Sequence, residues 1–189
     1  IKVSNLSQDL KNASHIILPG VGSFESCVNG LKKLNIEEDL NKAVLQNKTP
    51  FLGICVGMQM LATKGFENGE FDGLDWIRGN VEKIKVKDKK FKIPHMGWNI
   101  LKIKKETPFI KHLLQKIKIK SSDEISAYFV HSYNFKTKEQ SNKILTTEYE
   151  SEIAAMVSKE NIIGTQFHPE KSHIFGLNFL ETFFEQKEF

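Results

Sequence analysis

Residues 49–61, TPFLGICVGMQML, constrain the fold of this 189-residue chain more than any other stretch. Residues 50–54 form a short apolar run after a turn signal, which is typical of a buried strand in a parallel sheet. Residues 56–63 carry apolar side chains at helical spacing. The stretch therefore predicts a strand that turns sharply into a helix at Cys55.

Cys55 lies between two glycines, in the order Gly53-Ile54-Cys55-Val56-Gly57. This is the G-x-S-x-G pattern of a nucleophile elbow with cysteine in place of serine, a turn that strains the nucleophile and exposes its side chain above the sheet. The N–H groups at the start of the helix favour a thiolate over a thiol. Most lone cysteines are simply buried small residues, but two glycines at the required positions favour a nucleophile.

Composition and charge argue against several other classes of protein. The two cysteines, Cys27 and Cys55, lack the spacing of a metal site, so we expect a reducing cytoplasm, with neither a metal nor a cofactor. No apolar run approaches the roughly 18 residues of a membrane helix. The net charge is +4 with a single arginine, Arg78. We therefore interpret the lysines as solvated surface rather than as a nucleic-acid-binding patch.

The order of predicted elements indicates an α/β fold. Helices interleave with strands in the first half and strands dominate the second, which predicts one domain over residues 1–189 with a mixed, mostly parallel central sheet, flanking helices and an antiparallel extension. Residues 81–93 alternate apolar residues with lysines and predict a two-stranded hairpin. Residues 126–134 predict one long strand. Residues 173–186 predict a closing helix that buries five apolar side chains: Phe175, Leu177, Leu180, Phe183 and Phe184.

A nucleophilic cysteine needs a base to take its proton and a third group to orient that base. His168 and Glu170 supply both, directly after a predicted apolar strand, and Pro169 fixes the backbone between them. His131, at the end of another predicted strand, is a rival base. We favour His168 because it alone has a carboxylate two residues away. Such a set attacks an amide or ester carbonyl, with the N–H of Val56 and of a glycine loop stabilising the oxyanion.

Five motifs then occur together in the order found in class I glutamine amidotransferases, and the match spans nearly the whole chain. They are PGVG (19–22), GICVGMQ (53–59), PHMGWN (94–99), VHSY (130–133) and QFHPEKS (166–172). The elbow and QFHPE indicate the class alone. The PHMGWN and FVHSY stretches resemble, more narrowly, the HisH family of glutaminase subunits of imidazole glycerol phosphate synthase. The resemblance implies the flavodoxin-like fold of that class.

The resemblance also implies a mechanism. Cys55 attacks the side-chain amide of glutamine, His168 acts as base and acid, and Glu170 orients it. A γ-glutamyl thioester forms, ammonia leaves, and water releases glutamate. From the residues alone, Gln59 could instead be a polar residue on a solvated helix face. In the family pattern, the contacts to glutamine and its oxyanion fall on Gly20, Val21, Gly22, Val56, Gln59, Ser132 and Tyr133.

A partner protein is implied in the same way. Free ammonia is protonated in water and then is no nucleophile. In the family a (β/α)8 barrel, HisF, receives the ammonia and converts the nucleotide PRFAR into imidazole glycerol phosphate and AICAR during histidine synthesis. The matching interface positions are Met96, Trp98, Tyr128 and Lys171. Met96 and Trp98 could equally be ordinary core, but we interpret residues 95–99 as a loop that exposes Trp98 as an anchor.

Three alternatives remain open at this stage. The first is a HisH-like paralogue that feeds another synthase, for example in an amino- or amidino-sugar pathway. The second is a Cys-His-Glu hydrolase of a different amide, and the third is a degenerate, non-catalytic scaffold. The chain also starts at Ile1 without a methionine. Because family members begin with a further strand and loop, we expect this sequence to lack them.

Overall fold

The computed structural model describes residues 1–118 and 125–185. The strands, in chain order, are β1 Ile16–Gly20, β2 Phe51–Cys55, β3 Lys64–Gly65, β4 Phe71–Asp72, β5 Gly79–Lys83, β6 His95–Ile103, β7 Ile125–His131, β8 Tyr133–Thr137, β9 Lys143–Tyr149, β10 Ser151–Lys159 and β11 Ile162–Thr165. The α-helices are α1 Ser7–Leu10, α2 Phe24–Lys33, α3 Glu37–Asn41, α4 Val56–Gln59, α5 Pro108–Lys116 and α6 His173–Glu185. A π-helical segment, Lys42–Gln46, follows α3.

The main sheet has seven strands in the order β1-β2-β11-β10-β9-β6-β7. β1 and β11 flank β2 in parallel, whereas the other four neighbouring pairs are antiparallel. A mixed sheet with flanking helices confirms the predicted α/β class, but its antiparallel part is larger than "mostly parallel" implies. The reason is local: Glu150 alone separates β9 from β10, and so short a connection permits only antiparallel pairing.

A second sheet has four strands in the order β4-β3-β5-β8. Its strands come from residues 64–83 and 133–137, between strands of the main sheet. β5 pairs with β8 and not with residues 91–93, so the predicted hairpin over residues 81–93 is wrong. In the observed pairing Val81 is opposite Phe135, and both side chains are fully buried. The single strand predicted over residues 126–134 is divided between β7 and β8, which belong to different sheets.

Residues 95–99 form part of strand β6, so their interpretation as a loop is wrong. β6 pairs with β7 in continuous antiparallel register from His95 to Leu101. Burial alternates along it: His95 is buried, while Met96 is 61% exposed and Trp98 is 46% exposed. Trp98 is thus exposed, as expected, but for a different reason: alternate side chains of a strand point to opposite faces of the sheet, and Trp98 points to the exposed face.

The helices cover the sheet with their apolar faces. In α2, Ser23 and Ser26 form a capping box at the N-terminus, and Val28 and Leu31 are buried. The closing helix α6 buries a narrower face than predicted: its fully buried large side chains are Phe179 and Phe183, Phe175 and Leu180 are partly buried, and Leu177 and Phe184 are exposed. Residue 186 of that prediction lies outside the described residues. Within the described ranges, no helix has the length and apolarity to cross a bilayer.

Candidate active site

The strand-to-helix turn at Cys55 forms as predicted, between β2 and α4. Cys55 has φ 56° and ψ −111°, a conformation that a non-glycine residue adopts only under strain. α4 ends at Gln59 and is shorter than the predicted helix. Neighbouring backbones leave no space at the turn, because a Cβ added to Gly57 would lie 2.0 Å from the carbonyl oxygen of Leu18.

The Cys55 thiol is 7% exposed, and its burial decides its protonation. Burial raises the pKa of Cys55 to about 11, and the nearby Glu170 carboxylate raises it too, whereas the N–H of Val56 and the ammonium of Lys171 lower it. The helix start therefore acts in the predicted direction but loses to desolvation. In the free chain the sulfur is a thiol at neutral pH, not the expected thiolate, so a base must remove its proton.

Hydrogen bonding leaves one ring nitrogen of His168 free to accept a proton. Its Nδ1 lies 2.7 Å from Oε1 of Glu170, and its buried Nε2 has no hydrogen-bond partner within the described ranges. A carboxylate can only accept a hydrogen bond, so the proton of a neutral imidazole stays on Nδ1 and Nε2 is left with its lone pair. Glu170 thus prepares Nε2 as a proton acceptor.

Ser172 fixes the loop that carries this histidine. Its hydroxyl donates to the carbonyl oxygen of His168 at 2.7 Å and accepts from the N–H of Tyr128 at 3.0 Å. The N–H of His168 in turn donates to the carbonyl oxygen of Tyr128 at 3.0 Å. Because Ser172 is almost fully buried, these bonds tie the loop firmly to β7.

β7 brings the sulfur and the imidazole to one place. The carbonyl of Tyr128 bonds the His168 N–H, and the carbonyl of Val130 lies 4.0 Å from Sγ of Cys55. Tyr128 and Val130 are two residues apart on this strand, so they are separated by about 6.5 Å and their carbonyls point the same way. The loop of His168 and the sulfur of Cys55 therefore lie along the same edge of β7. Cys55 and His168 also line a common cavity of about 780 Å³, together with Glu170.

The same cavity collects most of the other residues that the sequence predicts for the site. Val56, Lys171 and the predicted glutamine and oxyanion residues line it, namely Gly20, Val21, Gly22, Gln59, Ser132 and Tyr133. Met96, Trp98 and Tyr128 are not among its lining residues. They lie together elsewhere: Trp98 is opposite Tyr128 in register, with ring centroids 6.1 Å apart.

Gln59 is 2% exposed, so the alternative of a solvated helix face is wrong. Its amide nitrogen donates to Oε1 of Gln166 at 2.9 Å and to the carbonyl of Tyr133 at 3.4 Å. Nε2 of Gln166 lies 3.7 Å from Sγ of Cys55. The sequence reasoning missed Gln166 as a site residue, although it stands in the QFHPEKS motif two positions before His168.

Glu67 is a second residue that the sequence reasoning missed. Its carboxylate lines the cavity and accepts the N–H of Phe24 at the start of α2, at 2.7 Å. It lies in a loop without hydrophobic periodicity, so nothing in the sequence pattern singles it out. The rival base His131 also lines the cavity, but hydrogen bonds engage both of its ring nitrogens. Among the described residues, no three His, Cys, Asp or Glu side chains are grouped to hold a metal.

Known proteins resemble this chain over nearly its whole length. The family model described as glutamine amidotransferase class-I matches residues 2–187. The chain is 46% identical to the imidazole glycerol phosphate synthase subunit HisH of Pelagibacter ubique, over 97% of this chain and 85% of that protein. It is 44% identical to the subunit HisH 2 of Methanococcus maripaludis, over 97% of this chain and 86% of that protein.

Solved structures share the fold at much lower identity. A glutamine amidotransferase crystal structure superimposes with a TM-score of 0.68 at 17% identity, covering 96% of this chain and 85% of that one. The glutaminase domain of Trypanosoma brucei CTPS gives 0.58 at 14% identity, covering 96% and 75%. The resemblance predicted from the motifs is confirmed by the family model and the relatives above 40% identity: this chain belongs to the HisH family of class I glutamine amidotransferases.

Proposed function

We propose that Cys55, His168 and Glu170 are the triad with which this chain, a glutaminase subunit of imidazole glycerol phosphate synthase, hydrolyses glutamine. One observation carries the proposal. His168 has Nδ1 held by Glu170 at 2.7 Å and Nε2 unbonded within the described ranges, in the cavity that the strained Cys55 also lines. This is the base-and-orienter arrangement that a nucleophilic thiol requires.

The first half of the reaction forms the thioester. Nε2 of His168 takes the thiol proton, and the sulfur of Cys55 attacks the side-chain amide carbon of glutamine. The N–H groups of Val56 and of the loop at residues 20–22 stabilise the oxyanion. The imidazolium then protonates the amide nitrogen, the C–N bond breaks, and ammonia leaves behind a γ-glutamyl thioester.

The second half regenerates the enzyme. Nε2 of His168 removes a proton from water, and the resulting hydroxide attacks the thioester carbon. The C–S bond breaks, the sulfur recovers its proton from the imidazolium, and glutamate leaves. Glu170 stabilises the positive imidazolium in both halves and itself stays ionised. Because the buried thiol has a raised pKa, proton transfer and attack are closely coupled in the first step.

Charged and polar groups at the other end of the cavity fit the amino-acid end of glutamine. Both hydrogens of the Gln59 amide donate to protein acceptors, which leaves its Oε1 to accept from the substrate α-ammonium. The Glu67 carboxylate supplies an opposite charge to that ammonium. Backbone N–H groups of Gly22 and of Ser132 and Tyr133 supply donors for the substrate carboxylate.

The released ammonia needs an acceptor on a partner protein. We infer a heterodimer with a HisF-like (β/α)8 barrel that uses ammonia to convert PRFAR into imidazole glycerol phosphate and AICAR. The docking surface is formed by Met96, Trp98 and Tyr128 together with Lys171 beside the triad loop. Two of its large apolar side chains, Met96 and Trp98, are exposed, as expected for anchors of an interface. A cytoplasmic location suits a catalytic thiol that must remain reduced.

Replacing the nucleophile tests the triad. Cys55→Ala in the complex with the barrel should abolish glutamine hydrolysis, a loss of at least several hundredfold, while synthesis from added ammonia continues. Cys27→Ala is the matched control, because Cys27 is the other free thiol, is half-buried and does not line the cavity. Glutaminase activity surviving in Cys55→Ala would show that the nucleophile is misassigned. Synthesis with another acceptor but not with PRFAR would instead indicate the paralogue.

A further inference from the structure

A chain of buried and partly buried hydrogen bonds runs from strand β6 to the backbone of the proposed glutamine site. The side-chain nitrogen of Asn99 lies 3.2 Å from Nε2 of His95. Nδ1 of His95 lies 2.9 Å from Nε2 of His131, and Nδ1 of His131 lies 2.8 Å from the carbonyl oxygen of Tyr133. His95 and His131 are 2% and 6% exposed. Only His131 among these three side chains lines the cavity.

The partners fix the direction of every bond in this chain. The Tyr133 carbonyl can only accept, so Nδ1 of His131 carries the proton and Nε2 accepts. Nδ1 of His95 must then donate, and its Nε2 accepts from Asn99. Asn99 is oriented independently, because its nitrogen also donates to the carbonyl of Glu148 at 3.0 Å and its oxygen accepts the N–H of Ile100 at 2.8 Å.

Stacking holds the His95 ring in this arrangement, and burial keeps both imidazoles neutral. His95 stacks on Phe129 and on Tyr149, with ring centroids 4.8 Å and 4.1 Å away. Burial lowers the pKa of His95 to about 4 and that of His131 to about 3. Both rings are therefore neutral at neutral pH, where each donates once and accepts once. Hydrogen bonds in such a buried chain polarise one another and strengthen.

The end point of the chain is a substrate-binding position. The Tyr133 carbonyl that accepts from His131 also accepts from Gln59 at 3.4 Å, and Ser132 and Tyr133 line the cavity. The preceding carbonyl, that of Ser132, is held by the N–H of Ile84 at 2.9 Å. The orientation of the Ser132–Tyr133 backbone toward glutamine thus depends on what holds these two carbonyls.

We propose that His131 and His95 are positioning residues for glutamine binding, His131 directly at the Tyr133 carbonyl and His95 through His131. The inference rests on the proposed function, since it assigns a role within the same glutamine site. It gives His131 a purpose other than that of a base. It also predicts an effect of His95 on glutamine affinity, although His95 does not line the cavity.

Calorimetric titration of L-glutamine into the full chain carrying Cys55→Ala measures binding without turnover. In that background His131→Leu should weaken glutamine binding by about fivefold to tenfold, as expected for one lost hydrogen bond at a binding position. His95→Leu should weaken it by about threefold. His131→Asn, which keeps a donor near the Tyr133 carbonyl, should recover part of the loss. His112→Leu, at an exposed histidine of α5, is the control and should leave affinity unchanged.

A purely structural role is distinguished by a double substitution and by melting temperature. Because both histidines act through one path, His95→Leu added to His131→Leu should weaken binding little beyond His131→Leu alone. Lowered melting temperatures with unchanged glutamine affinity would overturn the inference, as would losses that add fully. Should His131→Leu fail to fold, His95→Leu carries the test alone. Failure of the proposed function has another signature: the parent Cys55→Ala chain binds no glutamine, and the inference then falls with it.

Discussion

The two ends of the main sheet hold the site in different ways. At one end, β1, β2 and β11 run parallel and β2 is buried along its whole length. The backbones of β1, β2 and α4 are in close contact at the elbow. A Cβ added to Gly20 would lie 2.3 Å from the backbone nitrogen of Gly57, and a Cβ added to Gly53 would lie 2.5 Å from the carbonyl oxygen of Gly57. Close backbone packing therefore fixes the turn that carries Cys55 at this end.

At the other end, β6 and β7 alternate buried and more exposed residues, and polar side chains supply the order. Ser172 holds the loop of the base, and the His95–His131 chain holds the Tyr133 carbonyl. Substitutions should therefore act differently at the two ends. Changes at the elbow end should act mainly on the free energy of unfolding, whereas changes at the β6–β7 end should in addition alter affinity or rate.

The largest effect is expected from Gly57→Ala. The added methyl would lie 2.0 Å from the Leu18 carbonyl oxygen, so β1 or α4 must shift, at a cost of roughly 4 kcal/mol in the free energy of unfolding. Urea unfolding followed by circular dichroism measures this. Gly30→Ala is the control: it lies in α2 with nothing near its Cβ position and should stabilise the chain by about 0.5–1 kcal/mol. Equal stabilities would refute steric control of the elbow.

The second prediction concerns the ionisation of Cys55, measured in a Cys27→Ala chain so that a single thiol reacts. Burial raises the pKa of Cys55 from 9.0 to about 11. The free energy of ionising the thiol is then about 2.7 kcal/mol higher than in an unburied thiol. A raised pKa means that less thiolate is present at a given pH. The rate of alkylation by iodoacetamide should thus keep rising with pH beyond 10 in the native chain. In urea it should level off above pH 9, and a native profile that levels off below pH 9 would contradict the prediction.

Ser172→Ala should have an intermediate effect. It removes the partner of two buried backbone groups, those of Tyr128 and His168, and should cost about 1–3 kcal/mol of stability. It should also lower kcat for glutamine hydrolysis more than it changes KM, because the base is displaced. Thr147→Val is a matched control, since the buried Thr147 hydroxyl has no hydrogen-bond partner within the described ranges. Removing the Thr147 hydroxyl should leave the free energy of unfolding unchanged or higher.

The smallest effect on folding is expected from Trp98→Ala. Trp98 is 46% exposed and stacks on His173 with ring centroids 4.9 Å apart, so its loss should cost about 1 kcal/mol of stability. The binding free energy for the proposed barrel partner should weaken by about 2 kcal/mol or more, as for a central aromatic anchor. Calorimetry with the partner, beside thermal melting, compares the two losses. A larger loss in folding than in binding would remove Trp98 from the interface.

Local patterns in the sequence predicted the elements that depend on local structure. The elbow at Cys55 and the pairing of His168 with Glu170 are each written within a few consecutive residues, and both have the expected geometry. The hairpin over residues 81–93 failed because β5 finds its partner in β8, some fifty residues later. Such pairing depends on which apolar faces meet in the folded chain, and alternation within one segment does not specify it.

Electrostatics and long-range polar contacts were the least predictable part. The pKa of Cys55 depends on burial by distant segments, so the helix start next to it in sequence indicated only one contribution. Gln166 and His95 likewise act through partners far along the chain, Gln59 and His131. Neither residue differs from an ordinary core polar residue until those partners are known.

One residue, Ser132, separates β7 of the main sheet from β8 of the second sheet. The proposed glutamine pocket thus lies where the two separately hydrogen-bonded sheets meet. Glutamine bound to this backbone, as proposed, would link the two sheets, and its stabilising free energy would grow with the logarithm of its concentration above Kd. Amide hydrogen exchange in both sheets should therefore slow together when the pocket is filled.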